Sequence, residues 1–520
     1  MKNRGRPGIP PPEHGIALWV KFLFEVCNYG HSSFTTTCTN TTTMSVSLPQ
    51  EIHNLIIDRA AEDDDVFSNR QTMWACASAS RTLLHRAYHH LFSYIHIQLD
   101  LSSTKTWECQ SALKDFILLL RSSLRCPDVG IARYLREFEL SIRPPDEPKE
   151  SQFALAAISY SICELLRVVY SITRVEYLKF SAVNCTLSFE KEEDSIYPIS
   201  EDLVNLCHSP TLSKLALSNF TEVPTTLLRD SRIKHIDISN VSFSCYSREL
   251  RKFMYQPESI TIDGASFRSV VSGLHGGGGP ISSYLRCQEA FTNLRMLELR
   301  SNGVDDLPGY LKMAAAASDS LDTLYLHIIT DSSTIGPLLR TSTGIPRYFF
   351  QYITNLTTLR ISLYHNLTQE EHSPKSCFVN PLRYLLNVST FPKSLRSLDI
   401  GAKTSVRINK SYEIECACRP TTQTAHWGLL DAALTQPLIG AVPHLQLFIK
   451  FCVEPFEGFD EDLFNAQTCR AIGKNLPEFR HTRLFPLKGH LYVISDDQQD
   501  SNSLGFMVPI HDLDTYKPLI

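Results

Sequence analysis

Four groups of residues have types and spacings that chemistry could use. His275-Gly276-Gly277-Gly278-Gly279 has the order of an esterase oxyanion loop, whose backbone N–H groups stabilise developing negative charge. That chemistry also needs a strained Gly-x-Ser-x-Gly turn to present a nucleophile, and the chain contains none. No Gly-Lys-Ser/Thr follows the run, so it does not read as a phosphate loop either. Glycine runs impose no conformation, and a loop between elements is expected. His85 and His89 are four apart, a spacing that suits two metal ligands on one helix face, with His90 beside them. No His-Glu-x-x-His and no nearby Cys pair complete such a site, so surface helix residues are expected. Cys416 and Cys418 are separated by one residue, but no CxxC occurs. The acidic residues are dispersed, apart from Glu62-Asp63-Asp64-Asp65, which reads as a solvated loop, and no carboxylate pair stands in a frame for acid–base work. The expectation is a non-enzyme without metal or cofactor.

The elements that would have to position any site belong to a globular chain. Among 520 residues, 43% are hydrophobic and 20% charged, which is ample for a core and unlike a disordered composition. A net charge of -5 gives no basic footprint for phosphate-driven nucleic-acid binding. The 15 cysteines are odd in number and scattered, unlike a secreted disulfide framework, so reduced thiols and a cytoplasmic or nuclear location are expected. The Asn-x-Ser/Thr triplets at Asn219, Asn355 and Asn366 are then chance matches. The best candidate for a membrane segment, Ile16–Cys27, is broken by Lys21 and Glu25 and is shorter than the ~20 apolar residues a span needs. No membrane partner is expected.

Residues 1–43 differ from the rest: Pro10-Pro11-Pro12 precede that short apolar run, and a Thr-rich stretch, Thr35–Thr43, follows. We expect a disordered or misannotated leader there, with Met44 as an alternative start. A compact pattern then opens on Leu48-Pro49, with proline suited to a helix's first turn. Ile52, Leu55 and Ile56 follow on one helical face. A second helix is expected over Arg70–Ala79 and a third through Leu83, Leu84, Ala87, Tyr88, Leu91 and Phe92. Ile95, Ile97, Leu99 and Leu101 then alternate as in a half-buried strand.

Beyond residue 130 the rhythm changes. Short segments built on L-x-x-L-x-L recur at 135–142, 175–180, 212–217, 233–238, 260–262, 294–299, 321–326, 356–361, 395–400 and 445–449. Leu215 and Ile236 are 21 residues apart, whereas Leu359 and Leu398 are 39 apart, so the repeat is irregular. Helix-like stretches intervene at Phe153–Ile172, Ser200–Cys207 (with Ser200 as N-cap), Leu311–Ala317 and Trp427–Leu434. Strand, helix, strand at this spacing implies a parallel sheet with the helices as an outer layer. The expected fold class is α/β: a small all-α three-helix module over 44–101, an irregular leucine-rich-repeat-like solenoid over 102–490, and a tail or cap over 491–520.

Residues 47–97 resemble the F-box, the ~50-residue module that joins a protein to the Skp adaptor of a cullin–RING ubiquitin ligase. The matching residues are Leu48-Pro49-Gln-Glu-Ile52 with Leu55-Ile56-Ile57, then Trp74-Ala-Cys76-Ala-Ser-Ala-Ser80-Arg81, then His89-His90-Leu91-Phe92. Their order is similar to that of the F-box-like family expanded in mushroom-forming fungi, where a divergent leucine-rich-repeat region commonly follows. The acidic insert Glu62–Asp65, and Ala77 and Ala79 in place of larger aliphatic residues, depart from the family pattern. The resemblance implies a substrate-recognition adaptor, bound to a Skp-type adaptor and cullin scaffold through Leu48, Pro49, Ile52, Leu55, Ile56, Trp74 and Cys76, with an unidentified protein substrate on the repeats. The other expectation is a non-ligase leucine-rich-repeat interaction scaffold with a degenerate F-box.

Overall fold

Alternating apolar residues decide the strands, and a computed structural model shows how they stack. It describes residues 49–61, 66–101, 106–125, 130–145, 148–172, 174–189, 197–228, 231–244, 257–266, 291–301, 307–330, 350, 353–366, 391–407, 424–435, 442–454, 490–495 and 508–509. The chain divides into two compact units, Met1–Tyr255 and Gln256–Ile520.

In the first unit, helices α1 (Gln50–Ala61), α2 (Val66–Ala79) and α3 (Arg81–Phe92) pack on one another. One residue later the chain enters β1 (Tyr94–Asp100), which pairs with β2 (Glu137–Arg143) in parallel, so this strand belongs to the sheet rather than to the helical segment. β3 (Tyr177–Ala182), β5 (Lys214–Pro224) and β6 (His235–Ser244) follow in parallel order, with the two-residue β4 (Leu187–Ser188) pairing β5 at its far end. Parallel neighbours need a crossover. It is supplied by α4 (Thr106–Arg125), α5 (Pro148–Tyr170) and α6 (Tyr197–Cys207).

The register aligns the apolar rows. Phe138, Leu178, Leu215 and Ile236 are mutual partners, as are Leu140, Phe180, Leu217 and Ile238 two residues on. All eight are buried, each worth roughly 1.5–3 kcal/mol relative to exposure. Phe180 stacks on Phe220 at 4.7 Å between ring centroids, which extends the core beneath β5. On α5, Leu155, Ile158, Ile162, Leu165, Leu166 and Val169 make the buried stripe. Arg121 binds Glu164 at 2.6 Å and Arg167 binds Asp202 at 2.8 Å, tying α4 to α5 and α5 to α6.

The second unit repeats the scheme. β7 (Ser259–Asp263), β8 (Met296–Ser301), β9 (Thr323–Thr330), β10 (Thr358–Asn366), β11 (Ser397–Arg407), β12 (His444–Glu454) and β13 (His490–Ser495) pair successively in parallel. β14 (Val508–Pro509) closes antiparallel on β13. Ile260, Leu297, Leu324, Leu359, Leu398 and Leu445 form one apolar row. α7 (Leu307–Ala316) lies between β8 and β9, and α8 (Thr424–Leu434) between β11 and β12.

The α/β class and the parallel strands agree with the sequence reading, with four differences. The first Leu of each L-x-x-L-x-L lies before its strand: Leu135, Leu212, Leu294, Leu321 and Leu356 are fully buried in the preceding turns. The strands run on past the last Leu: in β5, Phe220 and Val223 stay buried at three-residue spacing, each preceded by a residue at positive φ, Asn219 and Glu222. Helix α4 was not anticipated, although Ala112, Leu113, Phe116, Ile117 and Leu120 make an ordinary buried stripe. Ser200 is not an N-cap: α6 starts at Tyr197, with Pro198 in the first turn, where a missing N–H costs nothing. Among the described residues, Phe153–Tyr170 of α5 is long and apolar enough by composition to cross a membrane, but 56% of it is buried inside the protein, as in a core helix; Ile16–Cys27 lies outside the described residues, with the rest of 1–43.

Three Asn-x-Ser/Thr asparagines, Asn219, Asn240 and Asn355, are committed to the fold. Asn219 sits at φ 64° and Asn240 at φ 53°, a region asparagine tolerates better than most residues. Asn219 Nδ2 donates to Ala182 O at 2.6 Å, and Asn240 Nδ2 donates to Asn219 Oδ1 at 2.9 Å. Asn355 Nδ2 donates to Asp319 O at 2.5 Å. We expect Asn219→Ala to lower stability to urea by about 2–4 kcal/mol, combining lost hydrogen bonds with a strained backbone. Asn219→Gly should recover the backbone share, so equal losses in the two variants would refute the role of the left-handed conformation.

Candidate functional site

Helix α1 carries most of the residues singled out by the F-box resemblance. Its start is set by Pro49, whose carbonyl accepts from Ile52 N at 3.0 Å and His53 N at 3.3 Å. One side of the helix is locked inward. Ile57 is fully buried, and the neighbouring Asp58 accepts from Arg86 Nε at 2.5 Å, Arg86 Nη2 at 2.8 Å and His90 Nε2 at 2.8 Å, all from α3. The hydrogen bond from Arg86 leads in holding the Asp58 carboxyl down at about 2.

The other side is apolar and open. Ile52 is 40% exposed, Leu55 63% and Ile56 52%, and Pro49 is exposed at the helix start. Burying such aliphatic side chains is worth roughly 1.5–3 kcal/mol each, so a partner that covered this stripe would gain substantially. Trp74 is half-buried on α2, with its ring edge-on to Tyr88 at 6.2 Å and to Phe92 at 5.8 Å. It therefore takes part in the aromatic packing of the helices. Cys76 is half-buried on the same helix and unpaired. Leu48 lies outside the described residues, as do Glu62–Asp65, His275–Gly279, Cys416 and Cys418.

Exposed apolar residues also occur on the outer helices: Trp107 and Leu118 of α4, Phe153 and Tyr160 of α5. The histidines of α3 take separate partners: His85 Nδ1 meets Tyr134 Oη at 2.8 Å and His90 meets Asp58. Among the described residues no group of three His, Cys, Asp or Glu is placed to hold a metal. Cys163 and Cys207 are buried, and burial pushes both thiols up, Cys163 to about 11.

A second surface comes from the outward strand positions, which the sequence did not resolve into contacts. His96, Glu139 and Lys179 are register partners on β1, β2 and β3. Glu139 accepts from Tyr94 Oη at 2.5 Å and Lys179 Nζ at 2.7 Å. Burial raises its carboxyl, but these bonds outweigh that and hold it below the ordinary value. In the second unit Arg360 binds Asp399 at 2.9 Å and lies over the Tyr325 ring, while Glu298 takes Arg300 at 2.9 Å. Such faces present paired charges and hydroxyls; on the first, His96 Nε2 also lies 3.2 Å from Ser141 Oγ, which meets Ser181 Oγ at 2.8 Å.

No family model matches the chain, and no curated protein matches it in sequence.

The Asp58 clamp gives a test of how α1 is held. Its folded value of about 2 lies below the ordinary 3.8. Its contribution is therefore complete above the ordinary value and drains away as pH falls toward the folded one. Because the side chain is a third exposed, we expect Asp58→Asn to cost no more than about 1 kcal/mol at neutral pH. The loss should shrink between pH ~4 and ~2; a cost independent of pH across acid unfolding would argue against the ion pair.

Proposed function

We propose that this chain is a non-catalytic substrate-recognition adaptor of an SCF-type cullin–RING ubiquitin ligase. In this reading α1–α3 are an F-box-like module, and the stacked strands form a divergent leucine-rich-repeat-like solenoid. The open stripe Pro49, Ile52, Leu55 and Ile56 docks to the Skp-type adaptor. The polar strand faces hold a protein substrate. The observation that carries the reading is the two-sided character of α1: one side fixed by the burial of Ile57 and the bonds from Asp58 to α3, the other aliphatic and uncovered by the described residues. A short helical segment gains little from such exposure unless a partner covers it. The adaptor's own contribution is proximity, because tethering raises the substrate's effective concentration near a ligase-bound transfer enzyme.

The second reading is a non-ligase interaction scaffold with a degenerate F-box. The packing of Trp74 against Tyr88 and Phe92 favours it, since that ring is engaged within the helices.

Pull-down with purified Skp adaptor separates the two. Leu55→Asp with Ile56→Asp alters exposed side chains only, so the circular dichroism of the full chain should not change. Adaptor retention should fall by about 100-fold or more, given roughly 1.5–3 kcal/mol per buried aliphatic residue. Trp107→Ser with Phe153→Ser should bind like the parent. If the parent chain itself is not retained, the docking claim fails and the scaffold reading stands.

A further inference from the structure

We propose that a cleft beside the C-terminal end of α3 binds a small organic phosphate monoester. The cleft has a volume of about 540 Å³, within the ~300–1,000 Å³ usual for small-molecule sites. Three of its lining residues are arginines, Arg133, Arg136 and Arg174, and no carboxylate lines it among the described residues. The chain as a whole has more acidic than basic residues, so this concentration of guanidinium groups is not a by-product of a basic composition.

The arginines converge from two successive turns, ahead of β2 and ahead of β3. Arg136 N donates to Ser93 O at 2.9 Å, and Arg136 O accepts from Glu176 N at 2.7 Å, which fixes its backbone. The turn before it is pinned by Ser123 Oγ, which accepts from Ala132 N at 2.8 Å. Gly130 passes so close to Ser123 that a Cβ there would lie 2.1 Å from the Ser123 hydroxyl. The cleft is thus built into the fold before any ligand arrives.

Arg136 and Arg174 retain most of their binding capacity. Among the described residues Arg174 makes no ion pair, and its Nη1 reaches Arg133 O at a long 3.4 Å. Arg136 meets Glu176 at 3.7 Å, and that carboxylate is 61% exposed. Guanidinium forks match phosphate oxygens in shape and charge. His89 also lines the cleft, and its Nδ1 is buried without a hydrogen-bond partner. Burial lowers the His89 value, and Arg86, His90 and Arg136 lower it further, in keeping with excess positive charge at this spot. The cleft is larger than a phosphate group needs, and Leu124 and Ile172 give it apolar wall, which calls for an organic portion on the ligand.

Calorimetric titration of the full chain with phenyl phosphate tests the site. Saturable binding is expected, at least tenfold tighter than inorganic phosphate and at least tenfold weaker in both Arg136→Ala and Arg174→Ala. Arg174→Lys, which keeps the charge and loses the fork, should fall between. Circular dichroism and urea midpoints equal to the parent's would show that the variants fold. Absence of binding at millimolar phenyl phosphate, or binding indifferent to both alanine substitutions, overturns the proposal. Binding no tighter than inorganic phosphate overturns the organic portion. Arg174-dependent capture of a phosphoserine peptide, with none of phenyl phosphate, overturns it in favour of a protein-borne phosphate.

Discussion

The rest of this structure depends on in-register stacking of apolar rows between parallel strands. A parallel strand has no hairpin partner and cannot pair until a crossover has returned the chain to the same end of the sheet. The return is secured by side chains. Phe138, Leu178, Leu215 and Ile236 must meet in one row, and a slip of one residue would turn every apolar side chain to the polar face. The same rule holds in the second unit, from Ile260 through Leu445. Crossover length is much less constrained, since loop-closure entropy grows slowly with length. Irregular spacings between strands are therefore compatible with regular rows.

Pinning one face of the sheet leaves the other free to vary. The outward positions of β1–β3 hold Tyr94, His96, Glu139 and Lys179 in a connected set. Those of β8–β11 hold Glu298, Arg300, Tyr325, Arg360 and Asp399. Most charges on these faces have an opposite neighbour, which limits the cost of their partial desolvation. A partner would meet a preorganised polar surface rather than mobile charges. The arginine-lined cleft contrasts with this pattern, because there the like charges gather.

Helix α1 divides into a fixed side and an open side within twelve residues. Ile57 is buried and Asp58 bonds to α3, which holds the helix in place. Ile52, Leu55 and Ile56 remain 40%, 63% and 52% exposed. A helix built only for the core would carry polar residues on that side. The outer helices also expose aromatic side chains, Trp107 and Phe153 among them, so exposure by itself does not select α1. What sets α1 apart is the combination of a fixed inner side with a continuous aliphatic outer one.

Most strand segments and the α/β class were legible in the sequence, because period-two and period-3.6 hydrophobicity is a local property that burial acts upon directly. So was the apolar stripe of α1, which needs only residues three and four apart. Element edges were not legible. Leu135 and Leu212 look like strand residues until the structure buries them in turns, since a buried turn leucine and a buried strand leucine carry the same signal. Nor could the sequence show that Asn219 bonds Asn240, that Glu139 gathers Tyr94 and Lys179, or that Arg136 and Arg174 share a cleft. Those groups lie 21 to 45 residues apart. Only strand register and the path of each crossover decide which of them meet, so local pattern determined the elements and tertiary packing decided the chemistry between them.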